Sequence, residues 1–283
     1  MDTGAINQNV DYLLSSLINN VIKVIRMRIT DSQIRFVVNL DSKLPNALVG
    51  DETRIRQVLI NLLENAVKYT DRGYVSFAVY GEMIDDDTVN LIMEIKDSGR
   101  GIKQEDIGKL FHNYFKIGTE PNEDIDGVGL GLAAALNIFK VMNGDMTIQS
   151  EYGKGSLLTI TLPQKIQKFQ KLAIVENPDE KNVLVYERRE MCASSVVYAL
   201  SNLGVRCELV SNDEGFCNIV KKNPFSHIFI SHALFKTSSD TILKFCENSQ
   251  IVLLAEFDES IPAGNRSILT MPAHAISVAN VFY

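Results

Sequence analysis

Two amide side chains and an amine lie at helical spacing in the run NLLENAVKYT, residues 61–70. On a helix, Asn61, Asn65 and Lys68 share one face, at successive steps of four and three residues. A carboxamide oxygen is a hard ligand that suits Mg²⁺, and an ammonium group one turn further on can meet a phosphate. The run therefore predicts a face that can hold a metal and a phosphate. An ordinary polar helix face in water is the competing interpretation.

Two glycines follow a candidate hydrogen-bond acceptor in the run DSGRGI, residues 97–102. Gly99 and Gly101 allow the backbone to approach a flat ligand closely, and the Asp97 carboxylate can accept hydrogen bonds from an amine. Alone, this run is also compatible with a simple turn. A second glycine run, GVGLGL at residues 127–132, opens a predicted helix, where unpaired N–H groups and the positive end of the helix dipole favour an anion.

The elements that must position these runs can be predicted from apolar periodicity. A helix from about Asp51 to Thr70 carries one apolar face, formed by Ile55, Val58, Leu59, Leu62, Leu63 and Ala66. Further helices are predicted at 9–28, at 104–115 and from the second glycine run to about Met142. Two-residue alternation predicts strands at 34–40, 75–81, 89–95, 146–148 and 158–162, and a turn is predicted at 44–46.

Chain length and a polar stretch at 164–182 predict two domains, 1–165 and 182–283, joined by a linker at 166–181. In the second, apolar strands at 183–186, 206–210, 227–231, 251–254 and 267–270 alternate with helices at 190–203, 213–221, 241–246 and 274–282. This alternation predicts a doubly wound parallel sheet. Leu172–Val175 is a candidate for one extra strand.

Charge and composition exclude several classes of function. The net charge is −7 and no basic stripe exists, which argues against a nucleic-acid binder. The four cysteines form no C-x-x-C pair, which indicates structural thiols in a reducing compartment. The least polar run, 127–141, is too short and too glycine-rich to span a bilayer, and no secretory signal follows Met1. We therefore expect a cytoplasmic chain, or the cytoplasmic portion of a membrane-bound sensor.

Taken in order, five runs closely resemble the sequence boxes of sensor histidine kinases: NLLENAVKYT (61–70), DSGRGI (97–102), LFHNYF (110–115), GVGLGL (127–132) and EYGKGS (151–156). The resemblance covers residues 9–165. It implies the α/β ATP-binding fold shared with type II topoisomerases, a two-layer sandwich of a mixed, mostly antiparallel sheet with helices on one face. It also implies a protein-histidine kinase that uses ATP and Mg²⁺. Hydrolytic relatives usually place a water-activating glutamate where Asn61 stands, so ATP hydrolysis is not expected to be the main reaction.

The resemblance implies a role for each matching residue. Asn65 would hold Mg²⁺ with help from Asn61, Lys68 would reach a phosphate, and Tyr69 would lie near the ribose or base. Asp97 would accept a hydrogen bond from the adenine amino group in a pocket lined by Gly99, Gly101 and Ile102. The lid and the start of the helix beneath the phosphates would be formed by Gly127, Gly129, Leu130, Gly131 and Leu132. Phe111 and Tyr114 would anchor the lid. Lys116 stands where the family often has a phosphate-facing arginine, and a lysine cannot give the same bidentate contact.

In this family the phosphate passes to a histidine on a two-helix dimerisation hairpin that precedes the first box. None of His112, His227, His232 and His274 stands in such a place. We therefore expect the acceptor-histidine domain to lie upstream, outside this chain, and the intact protein to be a dimer. A response regulator or phosphotransfer protein would be the further partner.

The second half resembles a receiver domain of a response regulator, a flavodoxin-like fold, as in hybrid histidine kinases. The likeness is carried by the runs NVLVYE (182–187), LGV (203–205) and FSHIFIS (225–231). The residues of receiver chemistry are replaced. Glu187 and Arg188 stand for the acidic pair, Ser231 for the phosphorylated aspartate, Ala255 for the switch hydroxyl, and Met271 for the lysine before Pro272.

We therefore expect a degenerate receiver without a phosphoacceptor, with phosphorylation at Ser231 or Asp240 as the alternative. For the whole chain we expect the Mg-ATP-binding catalytic part of a hybrid sensor histidine kinase. A nucleotide-sensing scaffold that transfers no phosphoryl group is the competing hypothesis.

Overall fold

The structure is a computed structural model that describes residues 9–30, 32–108, 110, 131–245, 248–257, 259–261 and 266–283. The chain divides into two compact units. Unit 1 comprises Met1–Phe36 and Leu44–Gln170, and unit 2 comprises Val37–Lys43 and Lys171–Tyr283.

Unit 1 is built on a seven-stranded sheet. Its strands are β1 (Val10–Leu13), β2 (Gln33–Leu40), β3 (Pro45–Gly50), β4 (Arg72–Asp85), β5 (Thr88–Asp97), β6 (Asp145–Glu151) and β7 (Gly155–Lys171). The order is β1-β3-β7-β5-β4-β2, with β6 pairing to β7. The pairs β1–β3, β4–β5, β5–β7 and β6–β7 are antiparallel. The β4–β5 hairpin ends at Asp97 opposite Val75, so the sheet itself places the Asp97 carboxylate.

The helices described in unit 1 are α1 (Leu14–Ile29), α2 (Glu52–Lys68), α3 (Gln104–Ile107) and α4 (Leu132–Val141). Helix α2 contacts α1, α4 and strands β4 and β5. All six apolar residues predicted for its inner face are buried. Asp51 caps its first turn by accepting a hydrogen bond from the Arg54 backbone N–H at 3.1 Å. This buried face fixes the rotation of α2 and turns the opposite, polar face outward.

Three predictions in unit 1 are wrong. Residues 10–13 form strand β1, antiparallel to β3, where the start of a helix was predicted. Pro45 and Asn46 begin strand β3, whereas a turn was predicted at 44–46. A helix was predicted at 104–115, but α3 ends at Ile107 and both Gly108 and Leu110 lie in turns; residues 111–115 lie outside the described residues. Strand β7 also continues to Lys171, through the first part of the stretch assigned to a linker.

Unit 2 contains a parallel five-stranded sheet. Its strands are β8 (Asn182–Tyr186), β9 (Arg206–Val210), β10 (His227–Ser231), β11 (Gln250–Ala255) and β12 (Ser267–Thr270), in the order β12-β11-β10-β8-β9. Every pair is parallel. The four α-helices described are α5 (Glu190–Asn202), α6 (Asp213–Val220), α7 (His232–Phe245) and α8 (Ala275–Ala279).

Alternate residues of the strands contact different helical segments, which shows that both faces of this sheet are covered. Leu184 and Ile230 pack with Phe216 of α6 and with Phe235 and Ile242 of α7. From the opposite face, Phe229 contacts the Phe282 ring at a centroid distance of 6.2 Å. Helix α5 contacts β8, β9 and α8. The predicted parallel sheet with alternating helices is therefore present.

Three details of unit 2 differ from prediction. Helix α7 begins at His232, directly after β10, rather than near Thr241. Residues Leu172–Val175 form no strand. The last α-helix ends at Ala279 and continues as a 3₁₀ turn, Asn280–Phe282.

Within the described ranges, no helix combines the length and apolar character needed to cross a membrane.

Candidate functional site

The polar face of α2 brings two predicted site residues into contact. Asn65 Nδ2 donates a hydrogen bond to Asn61 Oδ1 at 3.3 Å, and both side chains are half-buried. This bond orients the Asn65 amide and directs its own oxygen away from Asn61. One neutral oxygen is a weak ligand for Mg²⁺, which prefers to keep waters and share the oxygens of bound phosphates. The pair therefore fits a metal that arrives with a phosphate ligand.

The end of α2 presents an aromatic ring that two cations approach. Tyr69 follows the last helical residue, Lys68, and its N–H donates to the Asn65 carbonyl at 3.0 Å. The Tyr69 side chain is 41% exposed. Lys68 Nζ lies 5.9 Å from the ring centroid, and Arg100 Cζ lies 4.4 Å from it. Sequence reasoning assigned roles to Lys68 and Tyr69 and missed Arg100.

Asp97 is held at the end of β5 by neighbouring donors. Its Oδ1 accepts a hydrogen bond from Gly99 N at 2.8 Å. Burial raises the pKa of Asp97 above its ordinary value, and hydrogen bonds from Gly99 and Ser156 partly offset this effect. A partly buried carboxylate that needs further hydrogen-bond donors is a suitable acceptor for an exocyclic amine. Ser156 was not predicted as a site residue, although it lies in the EYGKGS run.

The two glycines after Asp97 have no space for a side chain. A Cβ at Gly99 would collide with the Tyr69 backbone oxygen, and one at Gly101 would collide with the Glu151 backbone oxygen. Gly101 also has φ of +63°, which favours glycine. The Arg100 N–H donates to the Tyr69 carbonyl at 3.1 Å. The glycine loop is thereby fixed against the end of α2.

The structure thus brings the first and second predicted runs together. Ile102 completes the loop, where its N–H donates to Ser150 Oγ at 2.8 Å. Gly131 lies at the N-cap of α4 and is exposed, and Leu132 is the first residue of that helix. The other predicted residues of the lid lie outside the described residues: Phe111, Tyr114, Lys116, Gly127, Gly129 and Leu130.

Unit 2 has a separate cavity of about 530 Å³ at the carboxyl ends of β8, β10 and β11. Ser231, the last residue of β10, lines it and is buried. Glu187 is only 2% exposed and pairs with Arg189, whose Nη2 lies 2.7 Å from Glu187 Oε2. Arg189 also pairs with Glu256. An arginine therefore neutralises the acidic side chain at the end of β8.

A second set of polar contacts involves two residues that line this cavity, His232 and Glu259. His232 Nδ1 lies 2.6 Å from Glu259 Oε1, and Lys236 Nζ lies 3.4 Å from the same oxygen. Ala255 ends β11, and Met271 directly follows β12. The replacements noted in the sequence therefore lie at the ends of the expected strands.

Comparison with known proteins matches unit 1 to one family. Residues 50–166 match the family described as histidine kinase-, DNA gyrase B-, and HSP90-like ATPase. Hybrid signal transduction histidine kinase B of Dictyostelium discoideum is 33% identical over 154 residues, which are 54% of this chain and 8% of that protein. Aerobic respiration control sensor protein ArcB of Escherichia coli K12 is 35% identical over 160 residues, which are 55% of this chain and 19% of that protein. The chain therefore spans less than a fifth of either relative.

A solved structure of full-length ShkA in complex with AMPPNP has the same fold as this chain. The match has a TM-score of 0.70 at 22% identity and covers 97% of this chain and 56% of that one. Over residues 50–166, unit 1 is therefore similar to the ATPase domains of this family, and its curated relatives of 33% and 35% identity are a histidine kinase and a sensor protein.

Proposed function

We propose that unit 1 binds Mg-ATP and presents its γ-phosphate to a histidine on a dimerisation hairpin outside this chain, as the catalytic part of a hybrid sensor histidine kinase. The proposal rests chiefly on Asp97, a partly buried carboxylate beside glycines that have no room for a side chain. That combination suits a flat base with an exocyclic amine. ShkA, a protein of the same fold, was solved with AMPPNP, which supports an adenine nucleotide as the ligand.

Each described residue has a defined task in this proposal. Asp97 accepts the hydrogen bond that positions the base. Asn61 orients Asn65, and Asn65 supplies an oxygen to a nucleotide-bound Mg²⁺. Lys68 contributes positive charge near the phosphates. Mg-ATP supplies the phosphoryl group and most of its charge neutralisation, so the protein mainly provides position and electrostatic stabilisation.

The remaining assignments extend this proposal beyond the described residues. As the resemblance implies, Lys116 would face a phosphate, Gly127, Gly129 and Leu130 would contribute to the lid hinge and the nucleotide site, and Gly131 and Leu132 would place the start of α4 beneath the phosphates. The partners would be the acceptor-histidine hairpin, a second copy of the intact protein, and a response regulator or phosphotransfer protein.

The metal assignment is tested by titrating a non-hydrolysable ATP analogue with and without Mg²⁺ into the wild type and Asn65→Ala. We expect Mg²⁺ to tighten binding to the wild type and to have little effect on the variant, while Mg²⁺-free affinity stays similar. Gln57→Ala is the matched control, because Gln57 is an exposed amide on the same helix. If Asn65→Ala keeps the full effect of Mg²⁺, the metal is held elsewhere.

We further propose that unit 2 is a receiver-like, flavodoxin-like domain that cannot be phosphorylated. Ser231 ends the strand at which a receiver carries its aspartate, and a serine hydroxyl is a much weaker nucleophile than a carboxylate. The Arg189 guanidinium pairs with Glu187 and Glu256, so these carboxylates already have a cation.

Mass spectrometry after incubation with acetyl phosphate and Mg²⁺ tests the second proposal. We expect no peptide from unit 2 to increase in mass by the mass of one phosphoryl group. A phosphate on Asp240 or Ser231 would contradict it.

The scaffold hypothesis remains the second candidate because the replaced residues of unit 2 favour docking over chemistry. An isolated acceptor-histidine hairpin from a related kinase, added to this chain with labelled ATP, distinguishes the kinase hypothesis from the scaffold hypothesis. Transfer of labelled phosphate to that histidine supports the kinase. Nucleotide binding without transfer to several such hairpins favours the scaffold.

A further inference from the structure

We propose that Arg100 is a second cationic contact for the polyphosphate of the nucleotide, acting with Lys68 around the Tyr69 ring. This inference rests on the proposed nucleotide site and adds a residue to it. Arg100 lies between the two glycines of the DSGRGI run, and none of the roles assigned above involves its side chain.

The backbone of Arg100 is fixed on both sides. Its N–H donates to the Tyr69 carbonyl at 3.1 Å, and its carbonyl accepts from Gly153 N at 2.7 Å. These bonds join the loop to the end of α2 and to the β6–β7 turn. An exposed side chain that leaves from a fixed backbone loses less conformational freedom on binding than one on a mobile loop.

The guanidinium of Arg100 lies over an aromatic ring. Arg100 Cζ lies 4.4 Å from the Tyr69 centroid, within the range of a cation–π contact. Such packing leaves the N–H groups at the edge of the guanidinium available as donors. In the part of the chain that the structure describes, no carboxylate forms a salt bridge with Arg100.

Lys68 adds a second cation at the same ring. Its Nζ lies 5.9 Å from the Tyr69 centroid, and it too has no salt bridge within the described ranges. Two like charges around one ring repel each other, and an anion placed beside them relieves that repulsion. In a chain of net charge −7, such a local excess of positive charge favours a polyanionic ligand.

The phosphates are the part of a nucleotide that this pair suits. Guanidinium N–H groups match phosphate oxygens in a bidentate geometry, and arginine has no acceptor for an amino group. Asp97 already offers an acceptor for the base amine. The structure therefore divides recognition between a carboxylate for the base and two cations for the phosphates.

The test is calorimetric titration of adenosine, ADP and a non-hydrolysable ATP analogue with Mg²⁺ into four proteins: wild type, Arg100→Met, Arg100→Lys and Lys103→Met. Arg100→Met keeps the aliphatic packing and removes the charge. Lys103→Met is the matched control, because Lys103 Nζ also lies over an aromatic ring, Tyr152, at 5.6 Å from its centroid.

We expect Arg100→Met to lower the affinity for the ATP analogue about tenfold, which is the effect of one charge-assisted hydrogen bond. The affinity for ADP should fall less. Adenosine affinity should not change. Arg100→Lys should lie between Arg100→Met and the wild type, and Lys103→Met should equal the wild type. The dependence of ATP-analogue affinity on salt should become shallower in Arg100→Met.

Two results would overturn the inference. An equal loss for adenosine and the ATP analogue would assign Arg100 a structural or base-stacking role. No loss for any ligand would make the Tyr69 contact a surface feature only.

A wild type that binds none of the three ligands refutes the nucleotide site itself. Binding that is weakened by Asp97→Asn and unaffected by Arg100→Met refutes only the role of Arg100.

Discussion

At the residue scale, the base-binding role proposed for Asp97 comes with a cost to the stability of the ligand-free fold. Burial raises the pKa of Asp97 above its ordinary 3.8, so the folded state binds a proton more tightly than the unfolded state does. The contribution of Asp97 to the stability of the fold is therefore complete below the pKa of the unfolded state. It is lost as pH rises through the pKa of the folded state. At neutral pH the ionised carboxylate lowers the stability of the ligand-free fold.

The raised pKa of Asp97 leads to a prediction about the pH dependence of nucleotide binding. In the proposed site, the exocyclic amine of the nucleotide base donates to the ionised Asp97 carboxylate, so protonation of that carboxylate in acid should weaken binding. We expect the advantage in affinity of the wild type over Asp97→Asn to shrink on acidification, beginning above the pH at which an ordinary aspartate titrates. Calorimetry of ADP with both proteins from neutral pH to about pH 4.5 measures it, and the ratio cancels titration of the phosphates. A ratio independent of pH over this range would contradict the prediction.

Gly99 gives a second test at the residue scale. In Gly99→Ala the new methyl group would collide with the Tyr69 carbonyl, which also accepts from Arg100 N. We expect a loss of stability of about 1–3 kcal/mol, as for overpacking in a well-packed site, together with weaker nucleotide binding. Gly108→Ala is the control, because a Cβ there meets nothing within 4 Å and its φ is −63°. Urea unfolding measures the stability of both variants and of the wild type. Equal stability of Gly99→Ala and the control would show that the loop can move to accommodate the methyl group.

At the element scale, two adjacent arginines after β8 should differ sharply. Arg189 neutralises Glu187, which is 2% exposed, whereas Arg188 pairs with Asp213, whose side chain is 63% exposed. We expect Arg189→Ala to cost about 3 kcal/mol, because it leaves a buried carboxylate without its partner. Arg188→Ala should cost at most about 1 kcal/mol. Denaturant unfolding of unit 2 in the full chain compares them.

The cause is separable from loss of packing by a double variant. Glu187→Gln combined with Arg189→Ala removes the uncompensated charge and should recover a large part of the stability lost in Arg189→Ala. If the double variant is as unstable as Arg189→Ala, the arginine acts through its aliphatic packing and not its charge.

Elements with a long, regular pattern could be predicted from the sequence, and short ones could not. Helix α2 and strands β4 and β5 follow apolar periods that their own residues define. Strand β1 has four residues beside a helical pattern and depends on pairing with β3, which begins with proline and ends with glycine. Helix α7 begins directly after Ser231, and its run of serine and threonine, TSSDT, does not favour a helix. In these cases tertiary contacts override local preference.

At the scale of the whole molecule, the position of the histidines predicts a clear negative result. His227, His232 and His274 are all at most 7% exposed, and His112 lies outside the described residues. We therefore expect this chain with Mg-ATP alone to form no acid-labile phosphohistidine. Incubation with labelled ATP, followed by comparison of acid- and alkali-stable label, tests this. Acid-labile phosphate on any of the four histidines would contradict it.

Candidate site residues could be predicted from the sequence, but the contacts between them could not. The boxes predicted Asn61, Asn65, Lys68 and Asp97 because each box is local. The contact of Arg100 with Tyr69 and the pairing of Arg189 with Glu256 join residues far apart in the chain. Such contacts depend on how strands and helix ends meet, which no local pattern encodes. The ion pairs that line the cavity of unit 2 likewise could not be predicted from the sequence.

The most direct test of the account is calorimetric titration of ADP and a non-hydrolysable ATP analogue, with Mg²⁺, into the wild type and Asp97→Asn at neutral pH. We expect the wild type to bind both nucleotides and the variant to bind more weakly by about 1–3 kcal/mol, the cost of an unsatisfied polar contact. Ligand-free Asp97→Asn should be at least as stable as the wild type, which would show that the loss concerns binding and not folding. A folded wild type that binds neither nucleotide would contradict the account.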